Sequence, residues 1–431
     1  IAMTIQNNDN THLNHIKVAV VGAGLAGSEC AWILADQYNI SVVLFEMKPK
    51  QLTPAQVSPE YFCELVCSNS LKSKSQLNPA GVLKHEILKL GSLVVPTAYK
   101  HEVPAGETLA VDRRLFSQEI TTSLRSHKNI QVVETEIQNI ESVFEHHAFA
   151  AVVIATGPLT TDSLSKSLKE FTNSEDLYFY DAIAPIIDGE TIDQSVLFKA
   201  NRTSRTQAFE KKQAEQNKSI PEHALTTQDE NATNDEQEEG DYLNIPIEKD
   251  EYISFVEKIL AVPKVPHHNF EEPRYFNGCQ PIEVLAESGI KTLSFGPMKP
   301  KGLTNPKTGR YPYAAVQLRK EKRGDEAWNM VGFQTRLTWG AQKEIFKTLP
   351  GLENAEFFRM GSMHRNTYMI APRLLNEHLQ FRCDNRFYLA GQIMGVEGYL
   401  ESAAMGVFIG HLIGQKIAHK KDLTLPPANT S

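Results

Sequence analysis

The stretch HIKVAVVGAGLAGSECAWILADQYNISVVLFEMKP, His15 to Pro49, constrains the fold more than any other part of the chain. The apolar run from Ile16 to Val21 reads as a buried parallel strand. Gly22, Ala23, Gly24, Leu25, Ala26 and Gly27 then spell G-x-G-x-x-G, and the segment Ser28–Gln37 continues helically. A second strand, Ser41 to Phe45, ends in Glu46, about 20 residues beyond the glycines, where a ribose-binding acid belongs. The three glycines have separate duties: Gly22 permits the tight turn, Gly24 admits a pyrophosphate to the backbone, and Gly27 lets helix and strand pack closely. The helix N-terminus then aims free N–H groups and the positive end of its dipole at the phosphates. Glycines acting only as turn formers would leave the acid at the end of the second strand without a reason.

Two later segments complete the nucleotide fold. HAFAAVVIATGP, His147 to Pro158, is a buried strand ending at Thr156 and Gly157. NRFYLAGQIMGVEGYLESAAMGVFIGHLIGQKIA reads as strand, glycine-rich loop and helix, carrying Gly391, Gln392, Glu397, Gly398 and Tyr399. No second G-x-G-x-x-G is present. One N-terminal signature with this late strand-loop-helix suits a tightly held FAD better than two exchangeable dinucleotides, the final helix aiming its N-terminus at the flavin ring. The expected fold class is α/β: a Rossmann-like FAD-binding domain of the glutathione-reductase type, split in sequence by an inserted smaller α/β domain. Its parts are residues 1–190 and 336–431, with 191–335 inserted.

A chain of 431 residues has room for two or three domains. It has no apolar run long enough to span a membrane and no apolar signal-peptide core, and its five cysteines are too few for a disulfide scaffold, so a cytoplasmic location is expected. The Ile-Ala before Met3 reads as a tag scar or gene-model artefact, with Met3 as the true start. The formal net charge of −8 argues against a nucleic-acid partner only until its distribution is seen. Residues 201–250 hold 12 acidic against 6 basic side chains, and residues 291–347 hold 12 basic against 4 acidic. The acidic stretch, about residues 204 to 240, has hardly any large apolar side chain and is expected to be a disordered loop. The basic stretch places Lys299, Lys301, Lys307, Arg310, Arg319 and Lys320 among Tyr311 and Tyr313, the composition of an RNA-facing surface or of a merely solvated loop.

The order GAGLAGSE, ELVCSNSLKS, VPAGETLAVDR, VVIATGPLT, FNGCQPIEV, FGPMKPKGL, PYAAVQLR, MHRNTY and AGQIMGVEGYLESAAMG, from about Val18 to Gly414, resembles the folate- and FAD-dependent tRNA (uracil-5-)-methyltransferase family, TrmFO, small relatives of the glucose-inhibited division proteins. The resemblance implies a reaction. Methylenetetrahydrofolate gives its one-carbon unit to the reduced flavin, which passes it to carbon five of a uridine in the tRNA T-loop, with NADH or NADPH supplying electrons. A close relative of the family acts on ribosomal RNA, which keeps that target open.

The cysteines can then be sorted. Cys63 and Cys67 form a C-x3-C that lacks the further ligands of a zinc site, so no metal is expected. Buried packing is expected for Cys30, Cys63 and Cys383. The resemblance assigns function to Cys67 and, in the insert, to Cys279. A thiolate must add to uracil carbon six before carbon five becomes nucleophilic, and a base must remove the carbon-five proton. Cys279 is expected as nucleophile and Cys67 as flavin-side acid/base, the order of roles remaining open. His364, Arg365 and Tyr399 are expected near folate or the flavin ring. Family members usually continue with a further C-terminal segment, so a chain ending at Ser431 points either to a truncated gene model or to a lost or altered RNA step. The rival expectation is a flavoprotein without RNA methylation, a folate-linked NAD(P)H oxidase or binding module.

Overall fold

The computed structural model describes residues 16–53, 55–144, 148–174, 177–202, 240–265, 275, 280–324 and 326–420. The acidic stretch, apart from Gly240, and Cys279 lie outside the described residues. Lys17–Val21 and Ser41–Glu46 pair in parallel at the centre of a five-stranded sheet. Phe149–Ile154 and Phe387–Leu389 extend it on one side and Ile130–Glu134 on the other, all parallel. Both faces are covered, which is why these strands read as continuous apolar runs rather than alternating ones. Leu25–Trp32 follows the glycine turn and runs into a π-turn over Ile33–Gln37. The last helix, Tyr399–His419, lies along it. Close approach is possible because Gly406 and Gly410 face it: a Cβ on Gly406 would sit 2.2 Å from the Ala26 carbonyl oxygen, and one on Gly410 2.8 Å from Ile33 Cβ.

A second sheet has six strands, in the order Phe198–Lys199, Leu243–Ile247, Ala314–Lys320, Ala327–Met330, Ile186–Asp188, Phe357–Arg359, all antiparallel. Its core gathers Trp328, Tyr252, Phe333 and Phe346 under the helix Lys249–Ala261. That core continues past the 335 boundary expected from sequence, through Leu337, Ala341, Ile345 and Leu352 to Ala355. The chain crosses between the two sheets on a two-stranded ribbon, Leu177–Ile183 outward and Ser362–Tyr368 on return, paired antiparallel. The parallel sheet is therefore built from both ends of the chain, because the antiparallel sheet is inserted between its fourth and fifth strands in chain order.

One buried carboxyl gives a pH-dependent stability. Glu29, fully buried in the first helix, accepts from Leu93 N at 2.8 Å and Val94 N at 3.0 Å, satisfying free donors at the start of the helix Val94–Lys100. Burial pushes its carboxyl up to about 7 from an ordinary 4.5. The folded state keeps this proton after the unfolded chain has lost it. Its contribution is therefore present below the unfolded value and is lost as the pH rises towards 7. Relative to wild type, Glu29→Gln should gain on the order of 3 kcal/mol between pH 4.5 and pH 8, read from urea midpoints. A pH-independent difference between the two proteins would refute this.

Candidate functional site

A cleft of about 1180 Å³, its solvent-filled mouth included, opens at the C-terminal ends of the parallel strands, where a ligand of a doubly wound sheet belongs. Gly22, Gly24, Leu25 and Ala26 line it, flanked by Glu46 at the end of the second strand and by Thr156 and Gly157 just beyond the strand Phe149–Ile154. Gln392, Tyr399 and Cys67 line it as well. Each wall arises locally. Gly22 holds φ +98°, and a Cβ there would meet the Ala155 carbonyl oxygen at 2.7 Å. A Cβ on Gly24 would meet nothing within 4 Å, so its backbone stands open to the cavity. Ala23 itself does not line the space; its N–H donates to Glu46 Oε2 at 2.8 Å, locking acid to turn. Gly27 and Gly391 serve packing, the latter facing Ala26 Cβ at 2.7 Å from where its own Cβ would lie. Gly398, at φ +112°, caps the final helix, and Glu397 beside it is exposed.

Cys67 sits on a turn held from three sides. Arg113 Nη1 donates to the Leu65 carbonyl at 2.6 Å, and Arg359 Nη1 to the Val66 carbonyl at 3.3 Å. The Cys67 N–H donates to Tyr399 Oη at 2.7 Å. These clamps come from the start of the helix Arg113–Ser126, from the edge of the second sheet and from the first residue of the final helix. The thiol points towards the Ala182 carbonyl on the crossing ribbon, 3.9 Å away. Cys63 differs: burial pushes its thiol up to about 12, and its Sγ donates to Ser28 Oγ at 3.1 Å. Cys30 is buried as expected, whereas Cys383 is exposed, because it falls in the short loop closed by the Asp384–Arg386 ion pair.

Arg113 also forms a two-pronged pair with Glu321 at the end of the strand Ala314–Lys320, Nε to Oε2 at 2.6 Å and Nη2 to Oε1 at 2.9 Å. The Cys67 turn is thereby tied to the second sheet. Arg113→Ala would leave Glu321, whose side chain is only 8% exposed, without its partner. A loss of about 3 kcal/mol in denaturant unfolding is expected, largely restored by adding Glu321→Gln. Additive single and double variants would show the pair to be unimportant.

His364 and Arg365 lie on the ribbon strand Ser362–Tyr368. Burial, with the Arg359 cation adding to it, pushes the His364 imidazole down to about 4, so it is neutral at physiological pH. In the loop that leads into the strand Ala314–Lys320, Lys299, Lys301, Lys307 and Arg310 are exposed, with Tyr311 and Phe295 61% and 77% exposed. Lys320 is half-buried, its ammonium 5.6 Å from the Trp328 ring centre. Arg319 departs from the expectation of a surface cation. It is 6% exposed, because the strand Ala314–Lys320 is paired on both sides and covered on both faces. The described residues hold no cluster of three or more metal-ligating side chains and no helix long and apolar enough to cross a membrane.

The model of the glucose inhibited division protein A family matches residues 17–233 and 216–421. A methylenetetrahydrofolate–tRNA-(uracil-5-)-methyltransferase TrmFO of Anaeromyxobacter dehalogenans strain 2CP-1 is 45% identical over 413 residues, covering 96% of this chain and 83% of that protein. The chain belongs to the TrmFO family. A TrmFO of Moorella thermoacetica is 44% identical over 415 residues, 96% of this chain and 86% of that protein. Among solved structures, Aquifex aeolicus GidA superposes with TM-score 0.65 at 15% identity, over 96% of this chain and 65% of the GidA chain, a likeness of fold. The motifs GAGLAGSE, ELVCSNSLKS, VVIATGPLT and AGQIMGVEGYLESAAMG contribute to the cavity wall, whereas Arg113, Arg359 and Glu64 join the site without having been expected there. Two signals were available: Arg113 closes the quoted VPAGETLAVDR, and Glu64 opens ELVCSNSLKS. Glu64 accepts from Lys48 Nζ at 2.8 Å, a pair almost wholly out of water.

Proposed function

We propose that the protein methylates carbon five of a uridine in the tRNA T-loop, with FAD bound in the cavity, methylenetetrahydrofolate as one-carbon donor and NADH or NADPH as reductant, in a reducing cytoplasm. The observation that carries this reading is the placing of Cys67 and Tyr399 on the wall of the same cavity as the glycine turn and Glu46. The printed names of the 45%-identical relatives support it as well.

The residues present suit a dinucleotide. The open backbone at Gly24 and the N-terminus of the helix Leu25–Trp32 offer N–H groups to a pyrophosphate. Glu46 offers carboxylate oxygens to ribose hydroxyls. Gln392 and the start of the Tyr399–His419 helix would lie against the ring, whose anionic reduced form a helix N-terminus favours. When bound, FAD supplies the carrier chemistry that moves the one-carbon unit to the uracil.

The remaining steps belong to the chain. Cys279 adds its thiolate to uracil carbon six, and carbon five then becomes the nucleophile. Cys67 takes the carbon-five proton, and departure of the Cys279 thiolate restores the double bond. Arg113, Arg359 and Tyr399 keep the Cys67 turn in place throughout. His364, neutral near pH 7, acts as a hydrogen-bonding group and not as a cation. Lys299, Lys301, Lys307 and Arg310 meet RNA phosphates, and Tyr311 offers a face to an unstacked base.

The test is direct. Purified protein should carry a yellow bound flavin. With methylenetetrahydrofolate, NADH or NADPH and unmodified tRNA it should form 5-methyluridine in the T-loop, read by mass spectrometry. Flavin that is reduced without any RNA being methylated would overturn the reading.

A further inference from the structure

Arg319 is out of place as a surface cation, and its neighbours say what it is for. It and Asn329 are cross-strand partners on the face of the second sheet opposite the Val316, Leu318 and Trp328 core. They are 6% and 3% exposed, yet Arg319 Nε and Asn329 Nδ2 are buried with no hydrogen-bond partner among the described residues. A third such atom is Asn69 Oδ1, in a fully buried side chain two residues beyond Cys67. Asn69 Nδ2 donates to the carbonyls of Val111 at 3.1 Å and of Lys320, the residue next to Arg319, at 2.9 Å. That leaves its oxygen unused. The Cys67 loop and the end of the strand Ala314–Lys320 therefore meet at the Lys320 carbonyl, and two donors and one acceptor are unpaired on Arg319, its cross-strand partner Asn329, and Asn69. Folded proteins leave few buried polar atoms unpaired, and a buried guanidinium N–H without an acceptor is among the costlier ones.

We propose that Arg319, Asn329 and Asn69 form a recognition site for the lactam edge of a planar ring, the carbonyl beside an N–H that uracil and the pterin of a reduced folate share. Arg319 and Asn329 donate to the ring carbonyl, and Asn69 Oδ1 accepts from the ring N–H. The acceptor excludes a phosphate or carboxylate, which would face Asn69 oxygen to oxygen. Position adds a second reason: the loop that carries Asn69 also carries Cys67. The inference rests on the methyltransferase reading and deepens it.

The deciding variant is Arg319→Met, of similar length and without charge. A guanidinium with a buried, unpaired N–H opposes folding, so the flavin-bound variant should melt at or above the wild-type temperature. Two separate titrations, with tetrahydrofolate and with a T-arm stem-loop RNA carrying either uridine or an abasic target site, identify the ring. A loss of about tenfold or more in tetrahydrofolate affinity assigns the pterin. A similar loss in the preference for uridine over the abasic site assigns the uracil. Asn329→Leu should weaken the same probe. If both probes bind as in wild type while flavin is retained, the proposal falls. It falls equally if Arg319→Met fails to fold or melts several degrees lower, since the cation would then be holding the sheet together. Wild-type protein that binds neither probe would overturn the methyltransferase reading, and the proposal with it.

Discussion

Protein carrying Cys67→Ala should purify yellow and accept electrons from a nicotinamide, but form 5-methyluridine more slowly by a factor of about 10² to 10⁴. The separation of effects follows from how the turn is held. Arg113, Arg359 and Tyr399 all grip the backbone of residues 65–67, and the side chain itself reaches towards the Ala182 carbonyl, at 3.9 Å. Removing one sulfur from a side chain that is not fully buried leaves the clamp and the glycine turn intact. The same substitution at Cys63 should do the opposite. That thiol is buried, bonded to Ser28 and lies off the cavity wall, so Cys63→Ala should cost about 1 kcal/mol of stability and leave methyl transfer near wild type. Methylation by Cys67→Ala at a rate within a few fold of wild type would end the case for Cys67 in the chemistry.

Gly27→Ala should yield protein without flavin, less stable by about 3 kcal/mol. A methyl group at Gly27 would lie 1.8 Å from the Gly22 carbonyl oxygen and 3.2 Å from Ala155 Cβ. The first of these is backbone, so relief requires the helix Leu25–Trp32 to move off the first strand and open the turn. Gly24→Ala separates binding from folding. No atom lies within 4 Å of its Cβ position, so the flavin-free protein should melt as wild type does. Its methyl would instead occupy the approach to the pyrophosphate and weaken flavin binding. The ratio of flavin to protein absorbance, beside melting of the flavin-free forms, reads both. A Gly27→Ala protein with full flavin would show that helix and strand tolerate the wider spacing.

The sequence carried the nucleotide half of the protein clearly, because its signals are local. The strand from Lys17, the glycine turn, the helix and the strand ending at Glu46 occupy thirty consecutive residues. The reason for each residue type lies inside that unit. Gly157 and Gln392, each sitting just beyond an apolar strand, line the cavity. The basic stretch was read less well. Its composition is the same whether a residue lies in the exposed loop, as Lys299 and Arg310 do, or in a paired strand, as Arg319 does. Net charge does not encode which face a strand buries.

Family membership, the parallel sheet and the split of the nucleotide fold follow from the sequence by itself. Each rests on spacing within short segments or on motifs met in order. Only the tertiary structure could decide that the Cys67 turn is held by Arg113, Arg359 and Tyr399, which lie as much as 332 residues away in the chain. Only it could decide that Arg113 reaches Glu321, that the second core runs on to Ala355, and that Arg319 is buried beside Asn329. The physical reason is common to all of these. They depend on how two sheets approach across a two-stranded ribbon, and residue periodicity within an element does not specify what that element meets.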